Sequence, residues 1–465
     1  QRARLEEQDK LSEAQRKEIE SLRAKFDEMK AMLEEQGKLT EEQRKQIEEM
    51  NQLLLSVHNR VQDIKDKPPD YSISDALEER LKKIEEASQK DQAEISSEAV
   101  SAGDFPGSIR VPGTDAAIKI GGRVRFSMVY TFDDLKVDDQ FITAEIPVAS
   151  AEAGQGARLN MSGRASRINF DIRTPTGAGY MRAFIEGDFA DEGDTFRLRH
   201  AFGQFRRTLV GKTWSTMADP QARPEDIDFE GLNSRNLVRQ AQVRFGVSMD
   251  EDKTFAFALE DPESDITGGE SVNLVPDMIG RFRWEKPYGP LGHLQTAFII
   301  RQLRAEPDNR PTKTLRKISY GMSVSGKLAV ASEYEKDNIV FQVNAGRGMG
   351  RYINDLESAG GQDAYIDPVT SRMRSLAVIS VYSAYQHWWS ETTRSSLLYG
   401  FVYVDNLSNQ PDDAYTKTHR AAVNLVWSPI SSIDIGIQYL YGNRENKDGS
   451  SGHATQVQLA ATFWF

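Results

Sequence analysis

Two hydrophobic periods divide this chain. Up to residue 64, apolar side chains recur on a seven-residue repeat through Leu5, Ile19, Leu22, Phe26, Met29, Leu33, Ile47, Met50, Leu54, Val57, Val61 and Ile64. These are the a and d positions of a left-handed coiled coil. Leu5-Glu6-Glu7-Gln8-Asp9-Lys10-Leu11-Ser12 returns as Leu33-Glu34-Glu35-Gln36-Gly37-Lys38-Leu39-Thr40, a displacement of 28 positions, or four heptads, that keeps the second copy in phase. Gln8, Ser12 and Gln15, with their equivalents Gln36, Thr40 and Gln43, interrupt the seam. Such polar layers cost stability and fix register. Gly37 followed by the capping-box pattern Thr40-Glu41-Glu42-Gln43 leaves antiparallel hairpins as the alternative. The preserved phase favours one rod of ~90 Å over residues 1–67. Pro68-Pro69 end it. Residues 68–115 then read as a weaker helix (Ile73, Leu77, Leu81, Ile84) and a linker from Ser96 to Gly113.

From Ala116 the period falls to two. Ile118, Ile120, Val124, Phe126 and Met128 share one face; Lys119, Arg123, Arg125 and Ser127 share the other. Similar stretches follow at Ile168–Ile172, Tyr180–Phe189, Phe196–Phe205, Leu209–Trp214, Gln240–Phe245, Thr254–Leu259, Met278–Trp284 and Leu294–Arg301. They continue at Ile318–Leu328, Ile339–Asn344, Leu376–Tyr385, Arg394–Tyr403, Ala421–Trp427 and Ile433–Tyr441. The chain closes on Val457, Leu459, Ala461, Phe463 and Phe465 outward, with Gln456, Gln458, Ala460 and Thr462 inward. Apolar outside, small and polar inside and aromatic at the rim is the pattern of a strand between lipid and a wet lumen. The total is sixteen, an even number as a single-chain bacterial barrel requires. The expected fold is a transmembrane β-barrel of 16 antiparallel strands over residues 116–465, preceded by an α-helical coiled coil.

Connections alternate in length. Asp133–Arg164, Ser215–Asn236, Arg347–Arg372 and Asn443–Gly452 are long, whereas Thr174–Gly179, Lys286–Gly292 and Ser428–Ser431 are short. Long loops on one side and tight turns on the other is the outer-membrane layout, with both barrel ends on the turn side. That layout puts the coiled coil in the periplasm. Composition agrees: the 465 residues hold no cysteine and carry a net charge of -12. No run approaches the ~20 apolar residues of a spanning helix. Without cysteine there are no disulfides, thiolate metal sites or cysteine nucleophiles. Net acidity argues against nucleic acid as partner. The chain opens at Gln1 with no signal peptide, as expected of a processed form, so export is inferred from the barrel.

Candidate chemistry lies in the lumen. Strand parity aims Arg123, Arg125, Arg167, Arg173, Arg182, Arg197, Arg199, Lys212, Arg244, Arg281, Arg283 and Arg301 inward, with fewer acids, Asp171, Glu186 and Glu260 being the clearest. The long stretch Ser215–Asn236, with Asp226, Asp228 and Glu230 beside Pro220 and Pro224, is expected to fold into the lumen as a constriction loop facing bases on the opposite wall. Fixed charges of one sign select ions, and low-dielectric walls focus their field. Guanidinium grips carboxylate in bidentate fashion, so small carboxylates are the expected solutes. The plainer alternative is that these arginines pair with neighbouring carboxylates and neutralise the interior.

Other motifs carry less. Gly346-Arg347-Gly348-Met349-Gly350 lacks the strand, helix and Lys-Ser/Thr context of a phosphate loop and reads as a flexible loop. The six histidines show no metal-binding spacing, and no cofactor is implied. His387 and Ser390 flank a turn beside Trp388-Trp389, which fits an interfacial girdle better than a hydrolase dyad; Trp284 and Trp427 sit similarly. No enzyme activity is expected.

Several stretches resemble the DcaP-like family of outer-membrane porins. They are Ile118-Lys119-Ile120-Gly121-Gly122, Leu198-Arg199-His200-Ala201-Phe202-Gly203-Gln204, Val210-Gly211-Lys212-Thr213-Trp214 and Asp228-Phe229-Glu230-Gly231-Leu232-Asn233. Gly348-Met349-Gly350-Arg351-Tyr352-Ile353-Asn354-Asp355 and Ala384-Tyr385-Gln386-His387-Trp388-Trp389-Ser390 belong to the same set, with Arg394-Ser395-Ser396. The resemblance implies a homotrimer of sixteen-stranded barrels with a periplasmic helical extension, taking up small anions such as dicarboxylates. A coiled coil fused to each barrel also raises the effective concentration of its partners, which agrees with one shared oligomeric state. The expected function is therefore an anion-favouring porin of the bacterial outer membrane. The alternative is a structural tether, with the barrel anchored in outer-membrane lipid and the rod reaching peptidoglycan or a periplasmic partner.

Overall fold

The computed structural model describes residue 52 and residues 102–133, 135–148, 156–286 and 292–465. The heptad rod and the short helix after it lie outside the described residues. Period-two sequence forms strands wherever it was expected. They are β1 (Ala117–Thr131), β2 (in two pieces, Arg158–Ser162 and Arg167–Thr176), β3 (Gly179–Asp188), β4 (Arg197–Phe205) and β5 (Thr208–Trp214). Next come β6 (Arg239–Ser248), β7 (Lys253–Glu260), β8 (Asp277–Glu285), β9 (His293–Pro307), β10 (Leu315–Ala329) and β11 (Asn338–Arg347). The last are β12 (Ala377–Trp388), β13 (Thr393–Asp405), β14 (Tyr415–Ile430), β15 (Ile433–Asn446) and β16 (Ser451–Trp464).

Each strand pairs antiparallel with its sequence neighbour. β16 closes on β1 from Arg123 opposite Trp464 to Thr131 opposite Gln456. Closure removes every free sheet edge, the condition for strands to cross a bilayer. Alternation sorts the two faces. Val124, Phe126, Leu159, Met161, Phe298, Ile300 and Leu397 stand exposed on the outside. Gln342, Asn344, Ser380, Gln438, Gln456 and Gln458 are buried inside. A polar interior with an exposed apolar exterior inverts a water-soluble barrel and suits lipid. Trp389, Trp427, Trp464 and Phe465 are exposed near the turns, where girdle aromatics belong.

Four expectations change. Asn443–Gly452 is mostly strand: β15 and β16 extend through it and leave a tight turn at residues 447–450. The end of the supposed linker is folded, because Ala102 bridges Ile109, and Ile109-Arg110 pair with Ile118 and Ala117. The glycine-rich stretch after β11 is packed, with Met349, Gly350 and Tyr352 buried. A Cβ at Gly350 would meet the Gln362 carbonyl oxygen at 2.4 Å, so close chain approach, rather than flexibility, is what the glycine serves. Finally, Lys212 lies opposite Ala201 on β4 and Ala241 on β6, which places it on the outer face with Val210 and Val243. Leu209, Gly211 and Thr213 take the lumen side of β5, and so few polar residues on that short strand gave parity no reliable sign.

Candidate pore constriction

Three loops fold inward from the long-loop rim: L1, described over residues 135–148, L3 (215–238) and L6 (348–376). L3 is closed at its neck by the Ser215 amide donating to the Val238 carbonyl at 2.9 Å. From there it runs around the far wall. Asp219 accepts from Arg283 on β8 at 3.0 Å, from His293 on β9 at 2.7 Å and from Ser325 on β10 at 2.7 Å. Tyr382 on β12 donates to the Ala222 carbonyl at 3.1 Å, and Arg394 on β13 donates to Glu225 at 2.7 Å. Arg420 on β14 takes both Asp226 at 2.9 Å and Asp228 at 3.0 Å. Gln438 on β15 and Gln458 on β16 donate to the same two acids. Arg125 on β1 reaches the Ile227 carbonyl. The return limb is held by Thr418, Ser380 and Gln342 through Asn233, Ser234 and Asn236. Gly400 and Gly436 make room on the wall, since a Cβ there would meet Asn233 at 2.2 Å and Ile227 at 2.6 Å.

L6 and L1 brace this loop. The Asp355 carboxylate accepts from Thr143 at 2.6 Å and the Ala144 amide at 2.9 Å in L1, and from Tyr415 at 2.7 Å and Thr418 at 2.6 Å on β14. The Asp355 amide donates to the Asn233 carbonyl of L3. Glu230, expected in the constriction, accepts from Asn354 of L6 at 2.6 Å. Met217, Tyr352, Ile353 and Leu356 form an apolar core between the loops.

The basic side chains fall into two sets. Arg173 and Arg182 share one carboxylate, Asp171, at 2.8 Å each. Arg199 reaches Glu186 at 3.0 Å and Asp188 at 2.7 Å, Arg197 reaches Asp188 at 3.0 Å, and Arg167 stands 3.9 Å from both acids. Arg283 holds Asp219, and Arg301 holds Asp277 at 3.1 Å and Asp363 at 3.0 Å. The other set finds no carboxylate among the described residues. Arg123 donates to the Ala165 carbonyl at 3.2 Å and Arg125 to the Ile227 carbonyl. Arg244 bonds Thr216 and Gln242 at 2.9 Å each. The Arg281 Nε is buried without a hydrogen-bond partner.

Strand parity missed several bases. Arg239 faces the Trp214 ring at 4.6 Å. Arg420, which donates to both L3 aspartates, lies one residue before the stretch read as strand. Arg223 sits on L3 itself, exposed, with no side-chain hydrogen bond or ion pair among the described residues. Arg223, Arg167, Arg182 and Arg199 line a cavity of about 350 Å³ with Phe184 and Trp214. A β-bulge shapes this wall. Glu186 pairs with His200 but Gly187 pairs with Leu198, so Arg199 is the extra residue and both Arg199 and His200 turn inward. His200 is fixed by Thr213 at 3.0 Å.

A closed sixteen-stranded barrel with an apolar belt and a charged, loop-narrowed interior defines an outer-membrane channel of porin type. The chain belongs to the DcaP outer membrane protein family, whose pattern matches residues 70–465. The outer membrane channel DcaP of Acinetobacter baumannii shares the fold at a TM-score of 0.68 and 20% identity, over 78% of this chain and 100% of that one. An anion-selective porin from Comamonas acidovorans gives 0.49 at 10% identity, over 75% and 100% of the two chains. A loop-deletion mutant of Vibrio cholerae OmpT gives 0.49 at 11% identity, over 76% and 100%. No curated protein sequence matches the chain.

Proposed function

We propose that this channel passes small anionic solutes, dicarboxylates among them, and that it works as a homotrimer with its coiled coil in the periplasm. The observation that carries the anion preference is the excess of guanidinium over carboxylate on β1–β8 and L3. Among the described residues Arg123, Arg125, Arg223, Arg239, Arg244 and Arg281 make no ion pair with an acid, and Arg223 is exposed. Arg123, Arg125, Arg167, Arg199 and Arg223 lie close enough to repel one another, and an entering anion relieves that repulsion. The heptad seam supports a shared oligomeric state, since rods and barrels joined in one chain associate together, and the number three is what the family resemblance implies. The rod could also brace the envelope against peptidoglycan without changing what the pore does.

The test is single-channel recording of the full-length protein in a planar bilayer under a salt gradient. Three equal conductance steps, an anion-selective reversal potential and transient block by an added dicarboxylate are the expected results. Cation selectivity overturns the anion reading. A folded barrel with no conductance overturns the pore and leaves the envelope tether.

A further inference from the structure

A second basic site stands on the opposite side of the wall, where no solute passes. On β9 the inward residues Arg301, Leu303 and Ala305 are buried, so Gln302, Arg304 and Glu306 point outward. Arg304 pairs directly with Arg316 on β10, and Arg347 at the end of β11 pairs with Tyr320. Arg316 and Arg347 are exposed. None of the three arginines makes an ion pair or a side-chain hydrogen bond among the described residues, and the Arg304 Nε is buried without a partner. The acids on this face are Glu306 and Glu270, opposite each other beyond Arg304, and Asp405 beyond Ala377. None of them comes within ion-pair distance of the arginines.

Like charges directly opposite across two strands are destabilising unless something anionic sits between them. Height selects the anion. Next toward the membrane centre from Arg304 and Arg316 lies Ile318, then Ile300 and Tyr320 with Arg347 level beside Tyr320, and the three apolar side chains are exposed by 58%, 53% and 57%. Arg304 and Arg316 therefore sit above the apolar belt on the long-loop rim and Arg347 at its upper edge, where head groups meet acyl chains. Arg stems can lie along apolar surface while their heads reach polar groups. Guanidinium takes phosphate in bidentate geometry, and basic pockets at this depth bind lipid head groups. We propose that Arg304, Arg316 and Arg347 form a binding site for the phosphates of phosphorylated outer-leaflet lipid, whose acyl chains lie on Ile300, Ile318 and Tyr320.

The test uses full-length protein in detergent, with bisphosphorylated lipid A, dephosphorylated lipid A and inorganic phosphate as probes and native mass spectrometry as the readout. The wild-type protein should retain bisphosphorylated lipid A, and inorganic phosphate should not displace it. The triple variant R304Q/R316Q/R347Q should retain it on the order of tenfold less well, with phosphatidylethanolamine binding unchanged. Folding is checked by heat-modifiable gel migration. If the triple variant fails to fold, R316Q alone, fully outward, carries the test with about threefold weaker retention. Equal retention by the variants overturns the site. So does equal binding of dephosphorylated lipid A, and displacement by inorganic phosphate would make it a free-anion site instead.

Discussion

The two halves of the lumen use arginine in opposite proportions. On β1–β4 guanidinium is in excess: Asp171 serves both Arg173 and Arg182, and Glu186 with Asp188 serve Arg167, Arg197 and Arg199. On β9–β14 the ratio inverts. Arg301 takes Asp277 and Asp363, Arg394 takes Glu225 and Asp434, and Arg420 takes Asp226 and Asp228. In that half most of the acids come from inward-folded loops. There arginine is a rivet that ties loop to wall, and in the first half its charge outnumbers the carboxylates beside it. One residue type thus serves structure on one wall and, on the proposed reading, selectivity on the other, and carboxylate supply decides which.

The largest expected effect tests the rivets. Arg420→Ala leaves the shielded side chains of Asp226 and Asp228 without their cation, and removing one partner of a buried pair costs about 3–5 kcal/mol. The loss is read as a lower temperature of barrel unfolding on heat-modifiable gels, together with noisier conductance as L3 loosens. The same change at Arg281, which makes no ion pair among the described residues, should leave unfolding nearly where it was. Equal losses at the two sites would erase the contrast between the halves.

Acid tests the same loop at its other end. Burial alone would raise the Asp219 carboxyl, but the hydrogen bond and charge of His293, the charge of Arg283 and the Ser325 hydroxyl hold it at about 2 rather than 3.8. A depressed carboxylate stabilises the fold fully above its unfolded value and stops doing so as pH falls through the folded one. The L3 anchor is therefore complete above pH ~4 and is lost between there and ~2, a change of about 2 kcal/mol. Unfolding temperature measured across that window should fall. Asp219→Asn should flatten this part of the profile, and an unchanged profile in that variant would remove Asp219 from the latch.

Smaller in energy, but aimed at function, is Arg223→Ala. Its side chain is exposed and unpaired among the described residues, so stability should hold while the field in the lumen weakens by on the order of 1 kcal/mol, about fivefold in the anion-to-cation permeability ratio. Reversal potential under a salt gradient reads this directly. A ratio that survives Arg223→Ala but collapses in Arg123→Ala would move the selective ring from L3 to β1.

Strand number, facing and closure were legible because one face of each strand meets lipid, which forces alternation into the sequence. The interior was legible only where a base lies on a regular strand, as Arg123, Arg125 and Arg301 do. Arg223 lies on a loop, where parity has no meaning. Arg420 lies inside β14 but one residue before the apolar run that revealed the strand. The bulge at Arg199 leaves no mark in composition, yet it brings His200 into the lumen. Inward folding of L1 and L6 was also hidden. Phe141, Met349, Tyr352, Ile353 and Leu356 are apolar without any period, because irregular backbone buries them against one another and against L3.

The smallest expected effect is at Lys212, and it tests the register beneath the whole comparison. Opposite Ala201 and Ala241, its ammonium is on the outer face and cannot contribute to the surplus inside. Lys212→Gln should leave the permeability ratio unchanged and move stability by no more than about 0.5 kcal/mol, as outward substitutions away from packed features do. If the ratio instead falls as it does for Arg223→Ala, Lys212 faces the lumen. β5 would then be slipped by one residue against β4, because a one-residue slip exchanges the two faces of a strand. Gly211 and Thr213 would move to the outside, and the Thr213 bond that fixes His200 could not form. A null result at Lys212 is therefore the most direct support for the register on which the first half's surplus is counted.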